Sequence, residues 1–124
     1  MSNTGITLDD TDVQRMLDKS LADVRGAIPQ ILEAGGRVIE AEAKINAPVD
    51  TGFLRNSIMV AEMMVDTKGG YIVVAVFAEY GAFVEFGTVK MDAQPYLRPA
   101  VYDNEAKIAR AMGAVYKMAI EGAI

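Results

Sequence analysis

Residues 80–100, YGAFVEFGTVKMDAQPYLRPA, carry the densest structural signal in this chain of 124 residues. Apolar side chains at positions 80, 83 and 84 recur at helical spacing, which predicts a short helix that ends at Gly87 as its C-terminal cap. A loop follows, and Gln94 precedes a proline and is therefore driven away from helical conformation. A second helix can begin around Arg98, because the proline after it is tolerated in a first turn. The segment lacks histidine and cysteine, so it points to assembly rather than catalysis.

Upstream, apolar residues recur every three or four positions from residue 17 to residue 39, which predicts a long N-terminal helical region. Gly26 and Pro29 interrupt it, so we expect either a kink or two helices that meet near Gly26. An unbroken helix over residues 10–46 would be about 55 Å long, more than so small a domain can cover. Part of it should then contact another subunit or a partner, while a helix pair folded back on its own domain remains an alternative.

Pro48 ends the helical region, and residues 49–52 have the composition of a turn. Residues 54–65 and 71–78 are rich in Ile, Val and Met, which predicts two strands joined by a hairpin loop at residues 66–70. The second strand is apolar at both alternating sets of positions, so both sheet faces should be covered. The second cover could be a neighbouring subunit, or the monomer could place a helix on each face.

Residues 99–122 predict a C-terminal helix that packs on the hairpin, with Val101, Ile108, Met112, Val115 and Ala119 on its apolar stripe. The predicted fold class is therefore α+β. It comprises a long N-terminal helical region, a small antiparallel sheet built on a β-hairpin, a short helix, and a C-terminal helix packed on the sheet. We expect residues 1–124 to form a single domain in which residues 1–8 are flexible.

Composition argues against several classes of function. Without cysteine or histidine the chain has no thiol nucleophile and neither of the side chains that usually bind zinc, and no cofactor is expected. Its 12 basic and 17 acidic residues give a net charge of −5 without a basic cluster, which argues against specific nucleic-acid binding. An acidic ring could still let DNA pass through it, although the charge could equally serve solubility. With no signal peptide and no apolar run of about eighteen residues, we expect a cytoplasmic product without a membrane partner.

Glu85 is the one residue of the segment that could be mistaken for a catalytic group. A buried carboxyl with a raised pKa could act as a general acid or base, and a small hydrolase would combine Glu85 with Asp50 or Asp92. No histidine or paired carboxylate accompanies it in sequence. We therefore favour a structural ion pair, for which Arg55 and Arg98 are the candidate partners.

Three runs of sequence carry a resemblance to a known family: APVDTGFLRNSI at residues 47–58, YGAFVEFGT at 80–88 and AQPYLRPA at 93–100. Together they resemble the tail-component family of long-tailed bacteriophages and prophages, the HK-ninety-seven gene-ten-like group. The departures are small, with glycine for the usual alanine at Gly81 and exchanged aromatics at Phe83 and Tyr96.

The resemblance implies a non-enzymatic virion protein that joins head to tail or completes the tail. It implies a homo-oligomeric ring, of six subunits by analogy, that is assembled in the host cytoplasm and binds tail-tube and neck proteins. A dimeric prophage protein that binds a host partner is the alternative outside the virion.

Docking is expected to use the segment quoted first. The loop at residues 88–94 should reach a neighbour, and buried aromatic and aliphatic side chains should anchor the contact. The candidate docking residues are Tyr80, Phe83, Glu85, Phe86, Gly87, Thr88, Gln94, Pro95, Tyr96, Leu97 and Arg98.

Overall fold

The structure, a computed structural model, describes residues 9–48 and 52–122. The expected flexibility of residues 1–8 and the turn at residues 49–51 lie outside the described residues. The architecture is α+β, which confirms the predicted class. Its elements are α1 (Asp10–Asn46), α2 (Phe53–Asn56), β1 (Ile58–Asp66), β2 (Gly69–Val76), α3 (Gly81–Phe86), α4 (Leu97–Tyr102) and α5 (Glu105–Ile120).

Helix α1 is continuous over 37 residues. A capping box begins it: the Asp9 side chain accepts from the backbone N–H of Asp12 at 2.9 Å, and the Asp12 side chain accepts from the N–H of Asp9 at 3.4 Å. Of the two alternatives, that of two helices meeting near Gly26 is wrong, because Pro29 lies inside α1. Proline removes one hydrogen bond, but Ala27 before it and Gly35 after it are both buried, so packing supports the helix across the gap.

The hairpin is tighter than its sequence indicates. Asp66 pairs with Gly69, which leaves a two-residue turn instead of the predicted five-residue loop. The Asp66 carboxylate accepts from the N–H groups of Lys68 at 2.8 Å and Gly69 at 3.1 Å, and these bonds hold the turn. Strand β1 begins at Ile58, later than predicted, because residues 53–56 form the helical turn α2.

One face of the hairpin packs on α1 and the other is exposed. Ile72 on the inner face lies against Gly36 of α1. The alternation of β2 turns Tyr71 and Val73 outward, where they are 47% and 36% exposed. The alternative with a helix on each face of the monomer is therefore wrong for the described residues. Cover by a neighbouring subunit stays a prediction.

The C-terminal helical region is divided into α4 and α5 by a turn at residues 103–104. The side-chain amide of Asn104 donates to the carbonyl of Ala100 at 3.1 Å, which satisfies a group at the end of α4 and favours the break. Prediction of one uninterrupted helix is wrong here. The predicted stripe is confirmed, since Val101, Ile108, Met112, Val115 and Ala119 are all at least partly buried.

The packing of α5 differs from the prediction. It packs along α1 rather than on the hairpin, with which it makes few contacts. Lys107 of α5 forms an ion pair with Glu42 of α1, and Met112 lies against Gly35. Helix α1 therefore lies between α5 and the hairpin, because its two buried faces are lined by small residues that allow close approach on both sides.

The buried core sits at the C-terminal end of α1, where the side-chain amide of Asn46 donates to the carbonyl of Tyr96 at 3.3 Å. At the other end, residues 10–24 of α1, which we call the arm, are mostly exposed. The predicted contact of this part with a partner stays a prediction. The core consists of Ala43, Ala47, Leu54, Ile58, Ala78, Tyr96 and Ala100.

Candidate docking site

Glu85 joins α3 to the start of α4. Its side chain is buried, and one carboxylate oxygen accepts from the N–H groups of Tyr96 at 2.7 Å and Leu97 at 2.9 Å. The other oxygen accepts from the N–H and Nε of Arg98, at 2.9 and 3.0 Å. These N–H groups belong to the first turn of α4 and have no partner within that helix, so Glu85 caps α4 from a distance. Of the two predicted arginine partners, Arg98 is the one used.

The environment of Glu85 keeps it ionised. Burial raises the pKa of this carboxyl. Hydrogen bonds from the backbone of Leu97, Tyr96 and Arg98 and from the Arg98 side chain lower the pKa by more, so that it lies below its ordinary value. A general acid at neutral pH needs a raised pKa instead. The reading of Glu85 as a group with a raised pKa is therefore wrong, because all its close donors stabilise the charged form.

Gly87 ends α3 as predicted, with a φ of +78° and an N–H that donates to the carbonyl of Phe83 at 2.8 Å. A Cβ at this position would lie 2.7 Å from the backbone nitrogen of Ala93. The loop folds back on α3, since the N–H of Gln94 donates to the carbonyl of Val84 at 2.8 Å. Its fully exposed tip is Val89. A contact of this loop with a neighbour stays a prediction.

Four aromatic side chains form an exposed surface beside this framework. Phe83 and Phe86 of α3 are 57% and 65% exposed, and Tyr80 before them is 40% exposed. Phe53 of α2 stacks on Tyr80 with ring centroids 6.1 Å apart and is itself 60% exposed. The Arg98 guanidinium lies 4.7 Å from the centroid of the Phe86 ring. We call Phe53, Tyr80, Phe83 and Phe86 the aromatic patch.

The candidate residues separate into surface and core. Tyr96 is buried, and its hydroxyl donates to the carbonyl of Gly81 at 2.9 Å. Burial, and then the charge of Glu85, raises the pKa of Tyr96. Leu97 is half-buried against the core. Thr88, Gln94 and Pro95 are exposed, and the use of these candidates in docking stays a prediction.

Phe53 was missed among the candidates. It lies 27 residues before Tyr80 in sequence, and only the chain path through the hairpin brings the two rings together. The sequence did carry one signal, the glycine that precedes Phe53 in the run APVDTGFLRNSI. In the structure this Gly52 has a φ of +79° and directs the start of α2.

Within residues 9–48 and 52–122, no group of three or more acidic, histidine or cysteine side chains is placed to hold a metal ion. Among the helices of the same ranges, none combines the length and apolar character that crossing a membrane requires.

Comparison with protein-family models identifies the family of the chain. The family model described as "Bacteriophage HK97-gp10, putative tail-component" matches residues 10–87, more than half of the chain. The match runs from α1 through the hairpin to Gly87, so the whole aromatic patch lies inside it while Arg98 lies outside. No curated protein and no solved structure matches.

Proposed function

The chain belongs to the HK97-gp10-like family of bacteriophage tail components, and we propose that it is the subunit that joins head to tail or completes the tail. In this proposal residues 1–124 act as one domain within a ring of subunits, six by analogy, at the neck end of the tail. The ring is built in the host cytoplasm and binds tail-tube and neck proteins.

The aromatic patch is the observation that carries this proposal. Large aromatic side chains are the residues that most often anchor protein interfaces, and here they are exposed. Their framework is fixed by the buried Glu85, which ties α3 to α4 through four hydrogen bonds. A surface held rigidly before binding loses little conformational entropy when a partner covers it. This arrangement supports docking on a defined partner surface.

The proposed mechanism is binding without catalysis. Glu85 is ionised and its oxygens are engaged by the protein itself, so its role is structural. The net charge of −5 fits a ring through which DNA passes without being retained. No cofactor enters the proposal.

The test uses a phage that lacks the gene. The variants Phe83→Ser and Phe86→Ser, and the double variant, are supplied to it in turn. Tyr102→Ser is the matched control, because Tyr102 is an aromatic of α4 with 68% exposure outside the patch. We expect the patch variants to melt within a few degrees of the parent while heads and tails accumulate unjoined, as counted by electron microscopy. The control should restore joined particles.

Full complementation by the double patch variant would overturn the use of this surface. Normal joining of heads to tails without the gene would overturn the virion role itself and favour the alternative of a prophage protein that binds a host partner.

A further inference from the structure

The arm extends past the hairpin turn. The hairpin turn reaches only as far as Arg25 and Ile28, where Val65 and Lys68 help to line a cleft of about 510 Å³. Helix α5 covers α1 around Gly35. Residues 10–24 continue for about 23 Å past the hairpin turn.

An apolar stripe follows the arm. Val13, Leu17 and Leu21 recur at intervals of four residues on one face and are 44%, 54% and 54% exposed. Val24 continues the stripe and is half-buried at the base of the arm. Such a continuous exposed face is unusual for a helix that has no partner.

The tip of the arm is acidic, whereas its base carries charges of both signs. Asp9 and the arm together hold five aspartates against Arg15 and Lys19, a net charge of −3, and three of the aspartates lie in the first turn at the tip. At the base, Arg25 and Lys68 line the cleft, and Asp23 precedes Arg25 on α1. Asp66 also lines the cleft there, but its Oδ1 already accepts from two backbone N–H groups.

We propose that the arms of two copies of this chain pair antiparallel about a two-fold axis near Leu17. In this pair Leu17 faces Leu17 of the other copy, and Val13 faces Leu21. Asp10, which lies on the stripe three residues before Val13, reaches Arg25 of the other copy at the edge of the cleft. A parallel pair would instead place the two acidic tips side by side, and like charges at such spacing repel.

The size of the contact sets its strength. A stripe about 23 Å long buries less surface than a permanent dimer requires, so the pair is reversible and depends on protein concentration. The core and the aromatic patch next to it lie toward the C-terminal end of α1, so pairing of the arms does not cover the aromatic patch of either copy. The inference concerns the free protein and does not rest on the proposed role in the phage tail.

The test exploits the absence of cysteine from the chain. Single variants Val13→Cys, Leu17→Cys and Leu21→Cys are treated with a short bis-maleimide cross-linker. We expect Leu17→Cys to cross-link with itself, while Val13→Cys and Leu21→Cys do so efficiently only when the two proteins are mixed. Ile45→Cys is the control, because Ile45 is a 73% exposed aliphatic on α1 outside the arm, and it should not cross-link.

A second measurement uses sedimentation equilibrium. Leu17→Asp should raise the dimer dissociation constant more than about tenfold, because it places two carboxylates at the two-fold axis. Asp10→Arg and Arg25→Asp should each weaken the dimer, and their combination should restore at least part of the loss.

Three results would overturn the proposal. One is a protein that stays monomeric at all concentrations, for example because residues 1–8 cover its arm. Another is a ring in which Leu17→Cys does not cross-link. The third is efficient cross-linking of Val13→Cys alone, which indicates parallel arms. Circular dichroism of each variant confirms that it is folded.

Discussion

Gly35 and Gly36 are adjacent in α1 and contact opposite sides of the molecule. A Cβ on Gly35 would lie 2.8 Å from the sulfur of Met112 in α5, whereas one on Gly36 would lie 2.6 Å from the terminal methyl of Ile72 in β2. The two glycines therefore set how closely α1 approaches the helix on one side and the hairpin on the other. This double approach makes α1 the central element of the fold.

Enlarging Gly36 should destabilise the protein. We expect Gly36→Leu to lower the free energy of unfolding by about 1–3 kcal/mol, because the side chain is forced into the contact with Ile72. Gly26→Ala is the control, since a Cβ there meets no described atom within 4 Å outside the local helix backbone. It should stabilise by about 0.5–1 kcal/mol through helix propensity. Urea denaturation measures both, and equal stabilities would contradict the packing.

Substitution of Gly87 should disturb the loop after α3. Gly87→Val combines a positive φ with a close contact to the backbone of Ala93, and we expect a loss of about 2–3 kcal/mol in the free energy of unfolding. Gly113→Ala in α5 is the control, because a Cβ there meets no described atom within 4 Å outside the local helix backbone. Thermal melting compares the two variants. A melting temperature of Gly87→Val equal to that of the parent would show that the loop tolerates a side chain.

Removal of the Glu85 carboxylate should cost more than removal of its arginine partner. Glu85→Ala leaves the buried N–H groups at the start of α4 without acceptors, and we expect a loss of about 3 kcal/mol. Arg98→Ala should cost about 1 kcal/mol, because this side chain is half exposed. Chemical denaturation gives both values. A larger loss of stability in Arg98→Ala than in Glu85→Ala would mean that the ion pair contributes more to stability than the cap of α4 does.

Stability should fall in acid through Glu85. The pKa of this carboxyl is lower in the folded chain than its ordinary value of 4.5, so its contribution is present above pH 4.5 and is lost as the pH falls through the folded pKa. We expect the melting temperature of the parent to fall below pH 4.5 more steeply than that of Glu85→Gln. Glu40, whose pKa is also lowered, is present in both proteins and cancels in the comparison. Parallel curves would contradict the role of Glu85.

Much of the fold follows from local sequence signals. The short helix α3, its cap at Gly87 and the apolar stripe of α5 were predictable because each depends on neighbours within a few residues. The hairpin was predictable in place but not in length, since Asp66 closes a two-residue turn with its own side chain. Continuity of α1 across Pro29 was not predictable, because it depends on packing against distant elements.

The site was predictable in the same uneven way. The pairing of Glu85 with Arg98 could be anticipated from their chemistry, but the sequence does not reveal that backbone N–H groups supply most of the hydrogen bonds. Tyr96 and Phe83 are both aromatic residues of the segment at residues 80–100, yet Tyr96 is buried and Phe83 is exposed. That difference depends on how α3 and the start of α4 pack against the core, which the periodicity of the sequence does not define.

Pro29 creates a position at which α1 bends more easily. Proline has no N–H to offer the carbonyl of Arg25, so the helix bends most easily at the point where the arm leaves the body of the subunit. The tip of the arm lies about 23 Å from that carbonyl, and a tilt of about 10° there displaces the tip by about 4 Å. The arm can therefore tilt as a rigid helix about residue 25 while the core of the subunit keeps its shape.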